Sequence, residues 1–200
     1  MRRAPLLAAL ALLGAGWVAA PLGMTGHMIA HMIAVAVAAP LLSLAVRGTP
    51  LDPAQRWPRI VTPFAMSMVE LALVWSWHVP ALRAAAAQSL AVMVVEQLSF
   101  LGAGVLLWSA VLARPAWARA SGVGVLLLTS MHMTLLGALI ALAPRPLYAA
   151  GHGSHGAMAL LDPMQDQQLS GVVMLLVGGA AYLIGGLAVL GGLLRQEARA

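Results

Sequence analysis

The sequence comprises 200 residues, of which 62% are hydrophobic and only 8% are charged. A soluble domain is nearer half apolar and a quarter charged, so the composition excludes a soluble fold and indicates one membrane-embedded domain over residues 1–200. The net charge of +5 comes from arginines scattered between apolar runs, which excludes a nucleic-acid-binding surface. There is no cysteine, so a disulfide framework and a thiolate metal site are excluded as well.

Six apolar stretches follow one another along the chain, and each is close to the roughly 20 residues that a transmembrane helix needs. They run over residues 4–20, 27–46, 59–77, 90–112, 121–143 and 169–194. Backbone groups in a bilayer must bond within the protein, and no alternating barrel pattern occurs, so helices are expected. The first stretch also resembles a cleaved signal peptide, although its length favours a retained helix. The sequence predicts an all-α polytopic bundle of about six transmembrane helices.

The arginines are divided unevenly between alternate connecting segments. Both termini and the loops after the second and fourth stretches hold nine arginines, whereas the remaining loops hold only Arg83 and Arg145. Cytoplasmic segments carry the excess of positive residues in membrane proteins. Both termini are therefore predicted to be cytoplasmic, and the long loop over 144–168 is predicted to lie outside.

Two histidine–methionine pairs begin the second stretch at its outer end. His27 and His31 are four residues apart and share one helix face, while Met28 and Met32 form a second pair about 100° further round. Thioether and imidazole groups together suit a soft ion such as Cu(I), and they do so without thiols that an oxidising compartment would oxidise. The pattern predicts a metal site; the plainer interpretation is a set of interface and lipid-facing residues.

Other polar residues lie at the outer side or inside the predicted spans. His78 ends the third stretch and His132 lies in the middle of the fifth. Glu70 and Glu96 lie within the third and fourth stretches, where carboxylates are costly and usually functional. Each of these four is a candidate, and each also has a structural explanation as a buried hydrogen-bonding group.

A further set of residues could guide an ion to the site or support it. Met131 and Met133 flank His132 on nearly opposite helix sides, so only one of them can share a site with it. His152 and His155 lie in a glycine-rich outer loop. Asp166 precedes the last stretch, where a helix N-terminal cap is an equally good explanation.

The depths of these residues below the outer boundary lead to a geometric prediction. At 1.5 Å per residue, His31 lies about 6 Å below the boundary, Glu96 about 9 Å and His132 about 16 Å. We therefore predict that His27, His31 and Glu96 face one interior cavity open to the outside, with His78 at its rim and His132 at its floor.

Several short blocks between residue 27 and about residue 180 occur in a characteristic order. They read HMIAHM at 27–32, AAPLL at 38–42, WHVPAL at 77–82, EQLSFL at 96–101, MHM at 131–133, PLY at 146–148, DQQLSG at 166–171 and GG at 178–179. Together they resemble the multi-span CtaG-type cytochrome c oxidase assembly factors associated with caa-type oxidases. One departure concerns Gln97, since that family often has histidine directly after the glutamate.

The resemblance implies a non-enzymatic protein of the bacterial inner membrane that assists the maturation of haem-copper oxidase. Oxidase subunits would be its partners, and copper, as Cu(I), would be handled near its outer face. Two alternatives stay open. A haem-binding redox protein would use histidines on separate helices, such as His31 and His132, as axial ligands. A copper or proton transporter would use Glu70, Glu96 and His132 as a path.

Overall fold

A computed structural model describes residues 2–113, 119–148 and 161–197, and these residues form helices and connecting turns with no strand among them. The helices are α1 (Arg3–Ala19), α2 (Gly23–Val46), α3 (Pro53–Arg56), α4 (Pro63–Trp77), α5 (Pro80–Gln88), α6 (Leu90–Leu112), α7 (Arg119–Ala141) and α8, which begins at Pro163 and ends at Glu197. The predicted all-α architecture is confirmed.

Four of these helices are long and apolar enough to cross a membrane. They cover Gly23–Val46, Leu90–Leu112, Ala120–Ala141 and Pro163–Arg195. Helix α1 is apolar but shorter, and α4 has 15 residues, which is about 22 Å against a hydrocarbon core of about 30 Å. The protein is therefore a multi-pass membrane protein, while the count of six spans and the sides of the termini stay predictions.

Proline and capping residues set two helix starts that differ from the sequence prediction. Helix α4 begins at Pro63 rather than near residue 59. A proline disfavours helical geometry at the residue before it, and Thr62 is accordingly extended. Helix α8 begins six residues earlier than expected. Asp162 accepts hydrogen bonds from the backbone of Met164 and Gln165 and forms a capping box, with Pro163 in the first helical position.

The helices pack around a core to which α2, α4, α6, α7 and α8 all contribute. Helix α6 lies against α2 and α4, α7 lies against α4 and α8, and α1 covers α2. The fully buried side chains include Met32, Phe100, Met133 and Tyr182. This arrangement turns the histidine-bearing face of α2 toward α6 and away from lipid.

Helices α2 and α8 each contain one π-helical segment, over Ile33–Ala38 and Met174–Gly178. A π-helical turn frees a carbonyl from the regular ladder and is often found at functional positions. The hydroxyl of Tyr182 on α8 lies 3.2 Å from the Val35 carbonyl in the first segment, and it also bonds the carboxylate of Glu70 on α4. Tyr182 thus joins α2, α4 and α8, and Glu70 is its partner on α4, which is the structural role left open for Glu70 by the sequence.

A candidate histidine site at the outer end of the bundle

His31 lies at the centre of the candidate site and is fully buried on α2. Its ring stacks on Phe100 of α6 with the ring centroids 3.7 Å apart, and the centroid of the His78 ring is 5.3 Å away. Neither ring nitrogen of His31 has a hydrogen-bond partner. Leaving a buried polar atom unpaired costs about 1–3 kcal/mol, so this imidazole has binding capacity that the fold does not use.

His78 follows α4 directly and offers one free nitrogen toward the same place. Its Nδ1 lies 2.7 Å from the Val74 carbonyl, so Nδ1 carries the proton and donates, while the buried Nε2 has no partner. Burial, opposed by the Val74 bond and assisted by the nearby Arg83 charge, lowers the pKa of His78 to about 4. The ring is therefore neutral at physiological pH, which is the form that binds metals. Tyr148 donates to the His78 carbonyl at 3.1 Å.

His27 and Glu96 form the other half of the cluster, and Arg83 joins them. Nη1 of Arg83 lies 2.9 and 3.0 Å from the two Glu96 carboxylate oxygens and 3.1 Å from each ring nitrogen of His27. His27 Nε2 is 3.5 Å from Glu96 Oε1. Glu96 is fully buried, and its charge is balanced by the guanidinium.

Short polar contacts fix the ends of α4 and α6 beside the cluster. The indole nitrogen of Trp77 donates to Ser99 Oγ at 2.8 Å, and Ser99 Oγ donates to the Glu96 carbonyl at 2.7 Å. Trp77 therefore holds the end of α4 against the turn of α6 that carries Glu96.

The structure brings together most of the predicted outer set, but as a closed cluster. His27, His31, His78 and Glu96 are each at most 6% exposed. Arg83 and Phe100 fill the space where an open cavity was expected. Among the described residues, no three histidine, aspartate or glutamate side chains are grouped so that they could hold a metal ion by themselves.

The methionines of the second stretch are buried, and one has a defined neighbour on another helix. Met28 is 0% and Met32 is 1% exposed. A Cβ atom added to Gly178 of α8 would lie 3.2 Å from Met32 Sδ and 3.2 Å from Met133 Cβ. Met32 and Met133 therefore pack together against α8, whereas the rings around His31 lie toward α6.

His132 is buried on α7, and neither of its ring nitrogens has a hydrogen-bond partner. The described ring contacts of His31 are with His78 and Phe100 and do not include His132. The structure therefore does not place His132 at the floor of a site shared with His31. Met131 is 69% exposed and Met133 fully buried, which agrees with their expected divergence. His152 and His155 lie outside the described residues.

Asp166 caps a helix other than its own. Its carboxylate accepts hydrogen bonds from the backbone nitrogens of Met24 at 2.7 Å and Thr25 at 2.9 Å, at the start of α2. Gly23 makes this approach possible, since it has φ +81° and a Cβ there would lie 2.5 Å from Asp166 Oδ2. The cap that the sequence suggested for α8 is provided by Asp162, and Asp166 instead positions the helix that carries His27.

Arg83 is the residue of this cluster that sequence reasoning missed. In the sequence it is a lone arginine on a predicted outer loop, which bears only on the predicted topology. Nothing in its immediate sequence indicates that it pairs with Glu96. The pairing depends on α5, a short helix between two predicted spans that the sequence analysis did not anticipate.

Comparison with known proteins decides the family. Residues 4–196 match the family model described as cytochrome c oxidase caa3 assembly factor. The chain belongs to this family. The resemblance seen in the sequence blocks is confirmed, and membership gives the protein a role in oxidase assembly with cytochrome c oxidase as its partner. No curated protein and no solved structure matches the chain.

Proposed function

We propose that this assembly factor binds one Cu(I) ion at His31 and His78 and supplies it to the oxidase during assembly in the bacterial inner membrane. The single observation that carries the proposal is the pair of adjacent buried imidazoles with unpartnered ring nitrogens. Imidazole suits copper, and the methionines that flank the histidines in the sequence are the basis for expecting its soft, reduced form. On this proposal the protein carries copper and catalyses no reaction.

The surroundings of His78 support a ligand role. Metal-binding histidines commonly donate their second ring N–H to a carbonyl, which fixes the tautomer and the ring orientation. The bond from His78 Nδ1 to the Val74 carbonyl has this form, and it leaves Nε2 available. The backbone of His78 is itself held by Tyr148. His78 is therefore preoriented without any metal being required to fold the segment.

The geometry supports haem less well than copper. Phe100 covers one face of the His31 ring at a centroid separation of 3.7 Å. The described ring contacts of His31 are with His78 and Phe100 and do not include His132, the other expected axial ligand. The geometry also supports a transporter less well than a copper-binding protein. Glu70 accepts a hydrogen bond from Tyr182 and Glu96 forms an ion pair with Arg83, so neither carboxylate is free to carry an ion or a proton.

The proposal is tested by titrating the purified protein with Cu(I) against a coloured chelator without oxygen. Wild-type protein is expected to bind about one ion per chain, and His31→Ala and His78→Ala are expected to lose this binding. Leu135→Ala is the control, since this side chain on α7 is 52% exposed and should not affect binding. Full copper binding by both histidine variants would contradict the proposal, and a haem absorption band in wild-type protein would favour the alternative.

A further inference from the structure

A single nitrogen of Arg83 lies beside three atoms that could each bind a cation. These are both carboxylate oxygens of Glu96 and the one ring nitrogen of His27 that carries no proton, and each carboxylate oxygen and each ring nitrogen is within 3.1 Å of Nη1. Glu96 is 0% exposed, His27 is 3% exposed and Arg83 itself only 11%. A buried carboxylate needs a counter-charge, and the guanidinium supplies it.

This arrangement lies directly beside the proposed copper ligands. His27 and His31 are one turn apart on the same face of α2. The ring of the second ligand, His78, has its centroid 5.3 Å from that of His31. A positive charge so close to both halves of the cluster opposes the arrival of a second cation.

We propose that Arg83 is a tethered cation that closes the copper site, and that Cu(I) displaces it to gain His27 and the charge of Glu96. This inference rests on the proposed function. In the metal-free state the guanidinium balances Glu96. In the loaded state the copper ion takes that place, His27 becomes a further ligand, and Arg83 moves outward with α5.

Charge conservation makes the exchange selective for a monovalent ion. Replacing a guanidinium by Cu(I) leaves the net charge of the buried cluster unchanged. A divalent ion would add one uncompensated positive charge in a medium of low dielectric constant, which is costly. The device therefore favours reduced copper over divalent ions that are otherwise good imidazole binders.

Helix α5, which carries Arg83, has the features of a segment that can separate locally from the rest of the bundle. The helix has nine residues and is bounded by extended residues, Val79 with ψ 130° and Ser89 with φ −135°. Four of its residues form an alanine run, and Ala86 is the buried residue of the helix. Little apolar surface is lost when such a helix swings away, so local opening is expected to cost less than global unfolding.

The first test is the Cu(I) affinity of Arg83→Gln, with Arg145→Gln as the matched control on the same predicted side. If the open state makes up about 1–10% of the wild-type population, removing the internal competitor raises the affinity on the order of 10- to 100-fold. Arg145→Gln is expected to match wild type because this side chain is exposed. An unchanged or weaker affinity in folded Arg83→Gln protein overturns the inference.

The second test uses wild-type protein and does not depend on the variant folding. An arginine-specific dicarbonyl reagent is applied with and without Cu(I), and the modified residues are identified by mass spectrometry. Copper is expected to speed modification of Arg83 several-fold and to leave Arg145 unchanged. Equal modification of Arg83 in both conditions overturns the inference. Copper binding that does not depend on His31 and His78 overturns both the proposed function and this inference. Copper binding that requires the two histidines but is the same with and without the Arg83 side chain overturns this inference alone.

Discussion

At the scale of single residues, Asp166 shows how a charged side chain is made tolerable in a membrane-embedded bundle. Its two carboxylate oxygens accept hydrogen bonds from the backbone nitrogens of Met24 and Thr25, which have no partner within the first turn of α2. The negative charge also lies at the positive end of the helix dipole. Asp166 thereby fixes the start of the helix that presents His27 and His31.

Removing this cap should lower the stability of the protein. Asp166→Ala is expected to reduce the free energy of unfolding by about 1–3 kcal/mol, because two backbone donors lose a charged acceptor in a partly buried place. Asp162→Ala, at an exposed cap, is expected to cost about 1 kcal/mol. Thermal unfolding in one detergent compares the two, and an Asp166 variant no less stable than the Asp162 variant would contradict this assignment.

For individual site residues, the sequence predicts the side of the helix on which they lie but not the partners that they contact. His27, His31 and Glu96 could be predicted to face inward, because helical spacing and the cost of burying a carboxylate in lipid both require it. The pairing of His27 and Glu96 with Arg83 could not be predicted, since a lone arginine is equally compatible with solvent. The free ring nitrogens of His31 could not be predicted either, because hydrogen-bond partners depend on the packing of α6.

At the scale of helices, the bundle depends on close contacts at small residues. A Cβ on Gly171 of α8 would lie 2.5 Å from the Ala141 nitrogen, and one on Gly137 of α7 would lie 2.7 Å from the Leu175 nitrogen. Small residues of this kind let transmembrane helices approach closely. The sequence shows the glycines but not which helix each one meets, so this contact could not be predicted.

A methyl group at this contact should separate the two helices. Gly171→Ala is expected to lower the free energy of unfolding by about 1–3 kcal/mol through overpacking against backbone atoms. Gly191→Ala is the matched control on the same helix, since nothing lies within 4 Å of a Cβ there. It is expected to be neutral or to stabilise by about 1 kcal/mol. Equal melting temperatures for the two variants would contradict the proposed packing.

The π-helical segments are another feature of this scale that the sequence did not indicate. Both lie in uniformly apolar stretches, where every register satisfies the hydrophobic pattern equally well. Their positions follow from tertiary contacts, since the Val35 carbonyl meets the Tyr182 hydroxyl. The helix starts at Pro63 and Pro163 have a local cause in the sequence, because proline restricts the backbone there, although the predicted stretches began at residues 59 and 169.

At the scale of the whole molecule, the orientation in the membrane decides whether the histidine cluster faces the compartment in which copper is supplied. The uneven distribution of arginines predicts that both termini are cytoplasmic and that residues 151–156 are outside. Reporter fusions at Ala200 and within 151–156 are expected to report opposite sides. Fusions that report the same side would refute the predicted orientation or the count of six spans.

The central claim joins this orientation to the two buried histidines and to the oxidase. The most direct measurement is the copper content and activity of oxidase purified from cells whose only assembly factor is the His31→Ala, His78→Ala double variant. We expect copper-deficient oxidase with low activity, while the variant is present in normal amount and oxidase subunits are transcribed normally. Cells that carry Leu135→Ala, at an exposed position of α7, should make normal oxidase. Fully loaded, active oxidase in the double variant under copper limitation would contradict the claim.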